Sequence, residues 1–358
     1  MQREWVGFHE VPGILLVRLM SRCNEKCLFC MVADEIQQSA DVDYQVAAQR
    51  IAAQPRGTQI EFFGGEPTIY PRFLDLLKVA RSHGFYCSIA TNLRIFHSEQ
   101  FTRQVAELDA SQIYVRTSIY GDSADLHDYY TSTRGSYQQT VRGIHNVVAA
   151  GFHSQVNIVI LKQNVDRLSA IVQQVHDWGV PRVKFGNLIY LATCGDHAIP
   201  LSTVKPHLLA AVQLAEDLGL VVTVEKTPVC IINGRLDLMS TERLIYSSSR
   251  VFDDADTCRG CLVRRWCDGL DPDYAARYSF DGINRLTDIP EATIRSKSAS
   301  LADPELMKMC CVEIPDATPD EVTAKVLLEL SRRVKERHGD LAIFPRQYVR
   351  AAPQTATL

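Results

Sequence analysis

The feature that most constrains the fold is a regular alternation of apolar runs and amphipathic segments from residue 14 to residue 225. The apolar runs have the length and residue types of strands, and the segments between them repeat apolar residues at helical spacing. The predicted strands are Ile14–Met20, Gln59–Phe63, Phe85–Thr91, Gln112–Ile119, Gln155–Leu161, Arg182–Ile189 and Leu220–Glu225. The predicted helices cover 42–53, 71–83, 98–108, 136–150, 166–178 and 204–218. This alternation is typical of parallel strands joined by helices.

Six or more consecutive strand–helix units favour an α/β fold, a full or partial TIM-like barrel, over a short doubly wound sheet. In such a barrel the functional side chains gather at the C-terminal ends of the strands. Residues typical of helix starts and helix ends stand at the predicted boundaries and support these strand–helix units. Pro71 is predicted to be the first residue of a helix, Ser136 an N-cap, and Gly84, Gly151 and Gly179 the points where helices end.

The pattern changes after residue 226, where the strands become short and Gly, Asp, Tyr and Cys accumulate. We therefore predict three regions: a barrel core over 1–226, a small Cys-rich module over 227–288 and a C-terminal extension over 289–358. Within the extension, Pro319–His338 is predicted to be an amphipathic helix that packs on the barrel surface.

Charge and apolar content narrow the class of protein. The formal charge is −4 and there is no long Lys/Arg run, so nucleic acid is not expected as a main partner. The apolar stretch near the N-terminus is interrupted by Arg18 and lacks a cleavage signature, and no run is long enough to span a membrane. The sequence thus predicts a cytoplasmic protein without a membrane segment. In that reducing compartment, the 11 cysteines point to metal or redox chemistry rather than disulfides.

Three of these cysteines, Cys23, Cys27 and Cys30, follow the first predicted strand with the spacing CxxxCxxC. A structural zinc site uses four ligands. Three thiolates without a nearby fourth leave one metal position open, which suits a [4Fe–4S] cluster whose unique iron binds a substrate or cofactor. The alternative is a zinc knuckle with a remote fourth ligand.

This spacing resembles the signature of the radical S-adenosylmethionine (SAM) superfamily. The second predicted strand ends in Gly64-Gly65-Glu66-Pro67, which matches the family's GGEP motif. Further matches occur in the family's order: Ala90-Thr91-Asn92, Thr117-Ser118-Ile119-Tyr120-Gly121, His127-Asp128 and Gly135-Ser136-Tyr137. The resemblance covers roughly residues 12–285 and implies a radical SAM core, an α/β fold with a partial (β/α)6 TIM-like barrel.

The resemblance also implies cofactor-binding residues. Gly64, Gly65, Glu66 and Pro67 would hold the amino group of SAM through their backbone, and Asn92 closes the third strand beside them. By alternation, Tyr114, Arg116 and Ser118 share one face of the fourth predicted strand, and Asn157 and Val159 share one face of the fifth. If those faces point inward, Ser118 and Asn157 contact the carboxylate or ribose of SAM; otherwise they are ordinary polar residues lining the barrel. Lys184 and Asn187 lie on opposite faces, so only one can face the cavity, and neither is assigned.

A second set of cysteines, Cys258, Cys261 and Cys267, resembles the core of the SPASM and twitch extensions, which bind auxiliary [4Fe–4S] clusters. Cys230 is predicted to be the fourth ligand, with Cys310-Cys311 as the competing choice and a structural zinc as the alternative occupant. Asp271 stands where the full SPASM pattern has a cysteine, which favours a single auxiliary cluster. Cys87 is predicted to be a small buried hydrophobic residue.

The resemblance implies reductive cleavage of SAM, and a 5′-deoxyadenosyl radical that abstracts hydrogen from a substrate. A flavodoxin or ferredoxin would supply the electron. Because Cys23 lies so close to the N-terminus, no peptide-recognition domain is expected ahead of it, and we predict a small-molecule substrate: a sugar, nucleoside or amino-acid derivative in a biosynthetic pathway. The enzyme is expected to be of the oxidoreductase or lyase type. The sequence does not decide whether the substrate undergoes dehydrogenation, epimerisation or decarboxylation. The alternatives are a maturase acting on a ribosomal peptide, methyl transfer, and a non-catalytic iron–sulfur or zinc protein.

Overall fold

The computed structural model describes residues 6–11, 13–30, 40–188, 195–235, 238–239, 251–253, 256–261, 264, 267 and 269–287, and the short strands at 312–314 and 343–345. The predicted helix over Pro319–His338 lies outside the described residues, as do Cys194, Cys310 and Cys311. The competition between Cys230 and the Cys310-Cys311 pair therefore stays open.

Eight strands form one open sheet in chain order. The first two form an antiparallel hairpin, and the pairs from β2 to β6 are parallel. The strands are β1 (Gly7–Val11), β2 (Ile14–Arg18), β3 (Gln59–Phe63), β4 (Tyr86–Ala90), β5 (Ile113–Ser118), β6 (His153–Ile160), β7 (Arg182–Asn187) and β8 (Val221–Glu225). A separate parallel pair joins β9 (Val312–Ile314) and β10 (Ile343–Pro345). The α/β partial-barrel prediction is confirmed.

Helices connect the strands as the alternation predicts. They are α1 (Tyr44–Ala52), α2 (Phe73–Ser82), α3 (Glu99–Ala106), α4 (Ala124–Thr131), α5 (Ser136–Ala149), α6 (Leu168–Asp177), α7 (Leu201–Asp217) and α8 (Pro272–Tyr278). Strand β1 and helix α4 are additions to the predicted elements. Helix α4 spans only eight residues and buries three of them, so its apolar period is too short to stand out in sequence.

Two predicted helix starts are wrong. Helix α2 begins at Phe73, with Arg72 as its N-cap, so Pro71 lies in the preceding turn. Ser136 is the first residue of α5 rather than its cap, and the cap position is occupied by Gly135. The free amides there are satisfied from another element: the carboxylate of Asp128 accepts from the backbone N–H of Gly135 and of Tyr137, at 2.5 and 2.8 Å.

The predicted helix ends are confirmed. Gly84, Gly151 and Gly179 have φ values of 75, 77 and 78°, in the left-handed region. Only glycine adopts this region without a steric penalty, which is why it ends helices.

One face of the sheet carries the apolar core. The register aligns Val17, Phe62 and Ile89 on neighbouring strands, and all three are fully buried. Phe62 packs edge-on against Phe73 of α2 at 5.4 Å between ring centroids, so this face points toward the helices. Cys87 lies on the same face with no exposed surface, as predicted. The polar residues between these positions therefore occupy the opposite, inner face.

The chain forms two compact units. The first comprises 1–184, 192–198 and 210–221, and the second comprises 185–191, 199–209 and 222–358. Within the second unit, Val229 and Cys267 form a small buried centre. The Tyr274 hydroxyl donates to the Ile199 carbonyl at 2.9 Å. The boundaries predicted at 226 and 288 stay predictions.

Candidate functional site

The site begins with the cysteine loop, residues 22–30, which follows the C-terminal end of β2. Its first residue is anchored to the turn after β3, since the Arg22 carbonyl accepts from the Glu66 amide at 2.8 Å. Farther along, Lys26 N–H donates to the Thr131 carbonyl at 3.0 Å, and Leu28 N–H donates to that of Tyr130 at 2.9 Å. The end of α4 thus fixes the second half of the loop.

The three thiols of this loop are close enough to influence one another electrostatically. Burial raises the pKa of Cys23 to about 12 and that of Cys27 well above its usual value, and each is raised further by the nearby Cys30. Buried thiols of this kind stay protonated unless a bound metal ion displaces the proton. Among the described residues, no three His, Cys, Asp or Glu side chains are arranged to hold a single metal ion.

Gly65 explains how the turn after β3 approaches the cysteine loop. A methyl group on Gly65 would come within 2.5 Å of the Ser21 carbonyl oxygen and closer still to that of Arg22. Only a residue without a side chain allows this contact. The second glycine of the GGEP motif is therefore required by the path of the cysteine loop.

Glu66 links the ends of β3 and β4. Its carboxylate accepts from the Thr68 amide and hydroxyl at 3.0 and 2.5 Å, from the Thr91 hydroxyl at 2.7 Å and from the Asn92 amide at 2.7 Å. Complete burial raises the pKa of Glu66, and the hydrogen bonds from Thr68, Asn92 and Thr91 act in the opposite direction. With Pro67 as the next residue, Glu66 also caps a short 3-10 turn over Pro67–Ile69.

Asn92 connects this turn to the cysteines. Its side-chain amide donates to Asn24 Oδ1 at 2.6 Å and lies 3.8 Å from Cys23 Sγ. The structure therefore brings Cys23, Glu66 and Asn92, three of the predicted site residues, into one connected group.

The inner face of the sheet carries two more of the predicted cofactor-binding residues. Ser118 and Asn157 are register partners at the C-terminal end of the β5–β6 pair. Below them, the Tyr114 hydroxyl donates to Gln155 Oε1 at 2.7 Å, and the Gln155 side-chain amide donates to Asn157 Oδ1 at 2.8 Å. Arg116, on the same face, forms an ion pair with Glu61 of β3. The face shared by Tyr114, Arg116 and Ser118 is thus polar, as the alternation predicts.

Four features of this site were not predicted: Glu25, Phe29, Tyr120 and the supporting role of α4. The Glu25 carboxylate is buried beside Cys27, whose thiol donates to it at 3.6 Å, and burial raises the pKa of Glu25 to about 7. Phe29 packs edge-on against Tyr120 at 4.9 Å and Tyr130 at 5.8 Å. Phe29 is an apolar residue directly before Cys30, and this is the sequence signal from which its packing against Tyr120 and Tyr130 could have been predicted.

The second set of cysteines lines a cavity in the second unit. Cys230, Cys258, Cys261 and Cys267 all contribute to its wall, together with apolar residues such as Phe252. Cys267 Sγ accepts from the backbone N–H of Val229 at 3.5 Å and of Gly269 at 3.4 Å. Burial raises the pKa of Cys230 and of Cys258. Four soft sulfur donors around one apolar cavity are the donor set that an iron–sulfur cluster uses.

Comparison with known proteins matches residues 17–175 to the Radical SAM superfamily. Residues 17–175 of this chain match a radical SAM domain. The match begins in β2, ends in α6 and includes the cysteine loop, the GGEP turn and the inner-face residues. Radical SAM domains use a [4Fe–4S] cluster and SAM, and the three thiols of the cysteine loop with an adjacent polar face fit that pair of cofactors.

Two curated relatives contain a similar region. Fe-coproporphyrin III synthase of Methanosarcina barkeri is 28% identical over 180 residues, 49% of this chain and 44% of that protein. PqqA peptide cyclase of Bradyrhizobium diazoefficiens is 24% identical over 192 residues, 53% of this chain and 50% of that protein. The chain thus spans about half the length of these relatives.

The fold of the radical SAM domain also has a solved counterpart. The crystal structure of Streptococcus suis SuiB superposes with a TM-score of 0.50 at 16% identity, covering 70% of this chain and 56% of SuiB. None of the helices in the described part of the chain has the length and apolar content needed to cross a membrane.

Proposed function

We propose that this chain is a radical SAM enzyme in which Cys23, Cys27 and Cys30 hold the SAM-binding [4Fe–4S] cluster. The observation that carries the proposal is the connected group of Cys23, Asn92 and Glu66 at the C-terminal ends of three neighbouring strands. When bound, the cluster and SAM supply a one-electron cleavage that gives a 5′-deoxyadenosyl radical able to take hydrogen from a substrate.

The residues of this chain bind, orient and shield. Gly64, Gly65, Glu66 and Pro67 place backbone groups beside the cysteine loop for the amino group of SAM. Asn92, Ser118 and Asn157 present polar groups for its carboxylate or ribose. Phe29, packed on Tyr120 and Tyr130, keeps water away from the buried side of the cysteine loop.

We further propose that Cys230, Cys258, Cys261 and Cys267 hold one auxiliary [4Fe–4S] cluster. The support is that all four line one cavity. Two clusters correspond to about eight irons per chain. A structural zinc in this cavity is the competing occupant.

Replacing Cys261 with alanine is expected to reduce the iron content from about eight to about four per chain, since one auxiliary ligand is lost while the other thiol set is untouched. SAM cleavage that is not coupled to substrate should persist. Cys87→Ala is the matched control, because it removes a buried thiol outside both sets, and it should keep about eight irons. Metal analysis of anaerobically reconstituted protein checks both. Loss of zinc rather than iron in the Cys261 variant would contradict the auxiliary cluster.

For the substrate, we propose a peptide, in place of the small molecule that the sequence favoured. The relative named as a peptide cyclase supports this class. A porphyrin-like small molecule is the second candidate, because another relative is named as a coproporphyrin synthase. Both names belong to those proteins, and the region similar to this chain covers about half the length of each of them.

Deuterium transfer distinguishes these classes without a known substrate. Extract from the source organism grown in deuterated water is offered to the reduced enzyme with unlabelled SAM, and mass spectrometry follows deuterium in 5′-deoxyadenosine. We expect the donating fraction to be destroyed by protease treatment, as a peptide would be. A donor that survives protease and passes a small-molecule filter would overturn the peptide assignment in favour of the second candidate.

A further inference from the structure

The cavity lined by the second set of cysteines, the auxiliary cavity, carries a charge in its wall that the ligand assignment does not use. Among the described residues that line it, Arg264 is the one with a charged side chain. It stands between Cys261 and Cys267 in the sequence, and its backbone amide donates to the Cys261 carbonyl at 3.2 Å. A turn thus ties this arginine to one of the proposed ligands.

The ring of Phe252 places the guanidinium of Arg264. The central carbon of the guanidinium lies 4.5 Å from the centre of that ring, which is the geometry of a cation–π contact. Phe252 lines the same cavity and packs against the buried centre formed by Val229 and Cys267. The arginine therefore rests on a ring that packs against the centre containing Cys267, another of the proposed ligands.

Gly269 leaves room for this ring. A methyl group there would come within 2.9 Å of Phe252 Cζ and 3.0 Å of the Val251 carbonyl oxygen, and the φ of Gly269 is 59°, in the left-handed region. The Gly269 amide also donates to Cys267 Sγ. One glycine thus permits both the position of the ring and a hydrogen bond to a ligand sulfur.

The other charges near the proposed ligands lie outside the cavity wall, as far as the described residues show. Asp253 is near enough to Cys258 to act on it through its negative charge. Lys205 acts on Cys230 in the opposite sense, and its ammonium group donates to the Cys230 carbonyl at 3.0 Å. These two outer charges are of opposite sign, whereas Arg264 places a positive charge in the wall itself.

We propose that Arg264 raises the reduction potential of the auxiliary cluster, so that this cluster accepts an electron more readily. The inference rests on the proposed auxiliary cluster and goes beyond its ligands. A cluster held by four thiolates is negatively charged, and reduction adds one more negative charge. Because the net charge around a cluster is one of the factors that set its potential, a cation in the cavity wall stabilises the reduced form by Coulomb attraction.

The test is a redox titration of Arg264→Gln in the full, anaerobically reconstituted chain, followed by electron paramagnetic resonance. The auxiliary signal is the one that Cys261→Ala removes. We expect Arg264→Gln to keep about eight irons per chain. At a fixed potential, its ratio of reduced to oxidised auxiliary cluster should fall about threefold, a potential about 30 mV more negative, since 59 mV corresponds to tenfold for one electron. Arg264→Lys keeps the charge and should recover most of the wild-type potential.

Arg277→Gln is the matched control, because it removes the same charge and a similar arginine–ring contact, 5.5 Å from the centre of the Tyr278 ring, outside the cavity wall. It should titrate as wild type does. An unchanged potential in Arg264→Gln, or an equal shift in Arg277→Gln, would overturn the role of Arg264. Loss of about four irons from Arg264→Gln would overturn it in favour of a structural role. Zinc in place of iron in the wild-type cavity would instead refute the auxiliary cluster, and this role with it.

Discussion

Cys27→Ala is expected to reduce the formation of 5′-deoxyadenosine to background, a fall of more than about 100-fold, since even groups that merely support a metal ligand contribute about 10–100-fold. Cys27 is the middle thiol of the cysteine loop, and Cys23 and Cys30 are near enough to raise its pKa. With two thiols left, the loop cannot hold three irons of a cluster. The measurement is chromatographic quantification of 5′-deoxyadenosine after anaerobic reconstitution and dithionite reduction.

The same Cys27 variant should retain about four irons per chain, those of the auxiliary cavity. Cys87→Ala, outside both thiol sets, should keep its cleavage activity, which separates loss of a ligand from loss of a cysteine in general. If the Cys27 variant cleaved SAM at the wild-type rate, the assignment of the cysteine loop would be wrong. A wild-type protein that binds iron but cleaves no SAM would instead support a non-catalytic iron–sulfur protein.

Gly65→Ala is expected to displace the cysteine loop. The added methyl group meets the backbone carbonyls of Ser21 and Arg22, which cannot rotate away as a flexible side chain could. Overpacking of this kind costs about 1–3 kcal/mol of folding free energy. Because the contact is with the loop that carries Cys23, we expect reduced iron loading and loss of most SAM cleavage as well.

Gly57→Ala is the matched control for Gly65→Ala. Gly57 has space around it, with no atom within 4 Å of an added methyl group, although its φ of 90° makes alanine strained there. We expect Gly57→Ala to lower the free energy of unfolding, measured by denaturant titration, but to leave iron content and SAM cleavage intact. Equal loss of iron in both variants would show that general destabilisation, rather than the contact with the cysteine loop, explains the Gly65 result.

Most of the strands and helices were predictable because residues close together in the sequence determine them. Strand β3 was predicted to the residue, since the apolar run Gln59–Phe63 stops at a glycine pair. The start of α5 was not, because its cap is the carboxylate of Asp128, eight residues earlier in the chain than Ser136. A cap supplied from another element has no sequence signature of the kind that a serine before a helix has.

The sequence predicted which residues form the candidate site, but it did not predict the hydrogen bonds that join them. The spacing of the cysteines and the GGEP motif identified the residues. That the Glu66 side chain joins Thr91 and Asn92 depends on the parallel pairing of β3 with β4, which brings the two strand ends together only in three dimensions. The burial of Glu25 likewise follows from packing in the folded chain, since a glutamate inside a loop is ordinarily solvated.

The central claim is that the cluster on Cys23, Cys27 and Cys30 keeps one iron open for SAM. Electron–nuclear double resonance on the reduced wild-type protein tests it directly, with SAM carrying ¹⁷O in its carboxylate and ¹⁵N in its amino group. We predict hyperfine coupling of both labels to the cluster, and loss of both couplings in Cys27→Ala. A wild-type cluster that shows no coupling to either label would contradict the claim.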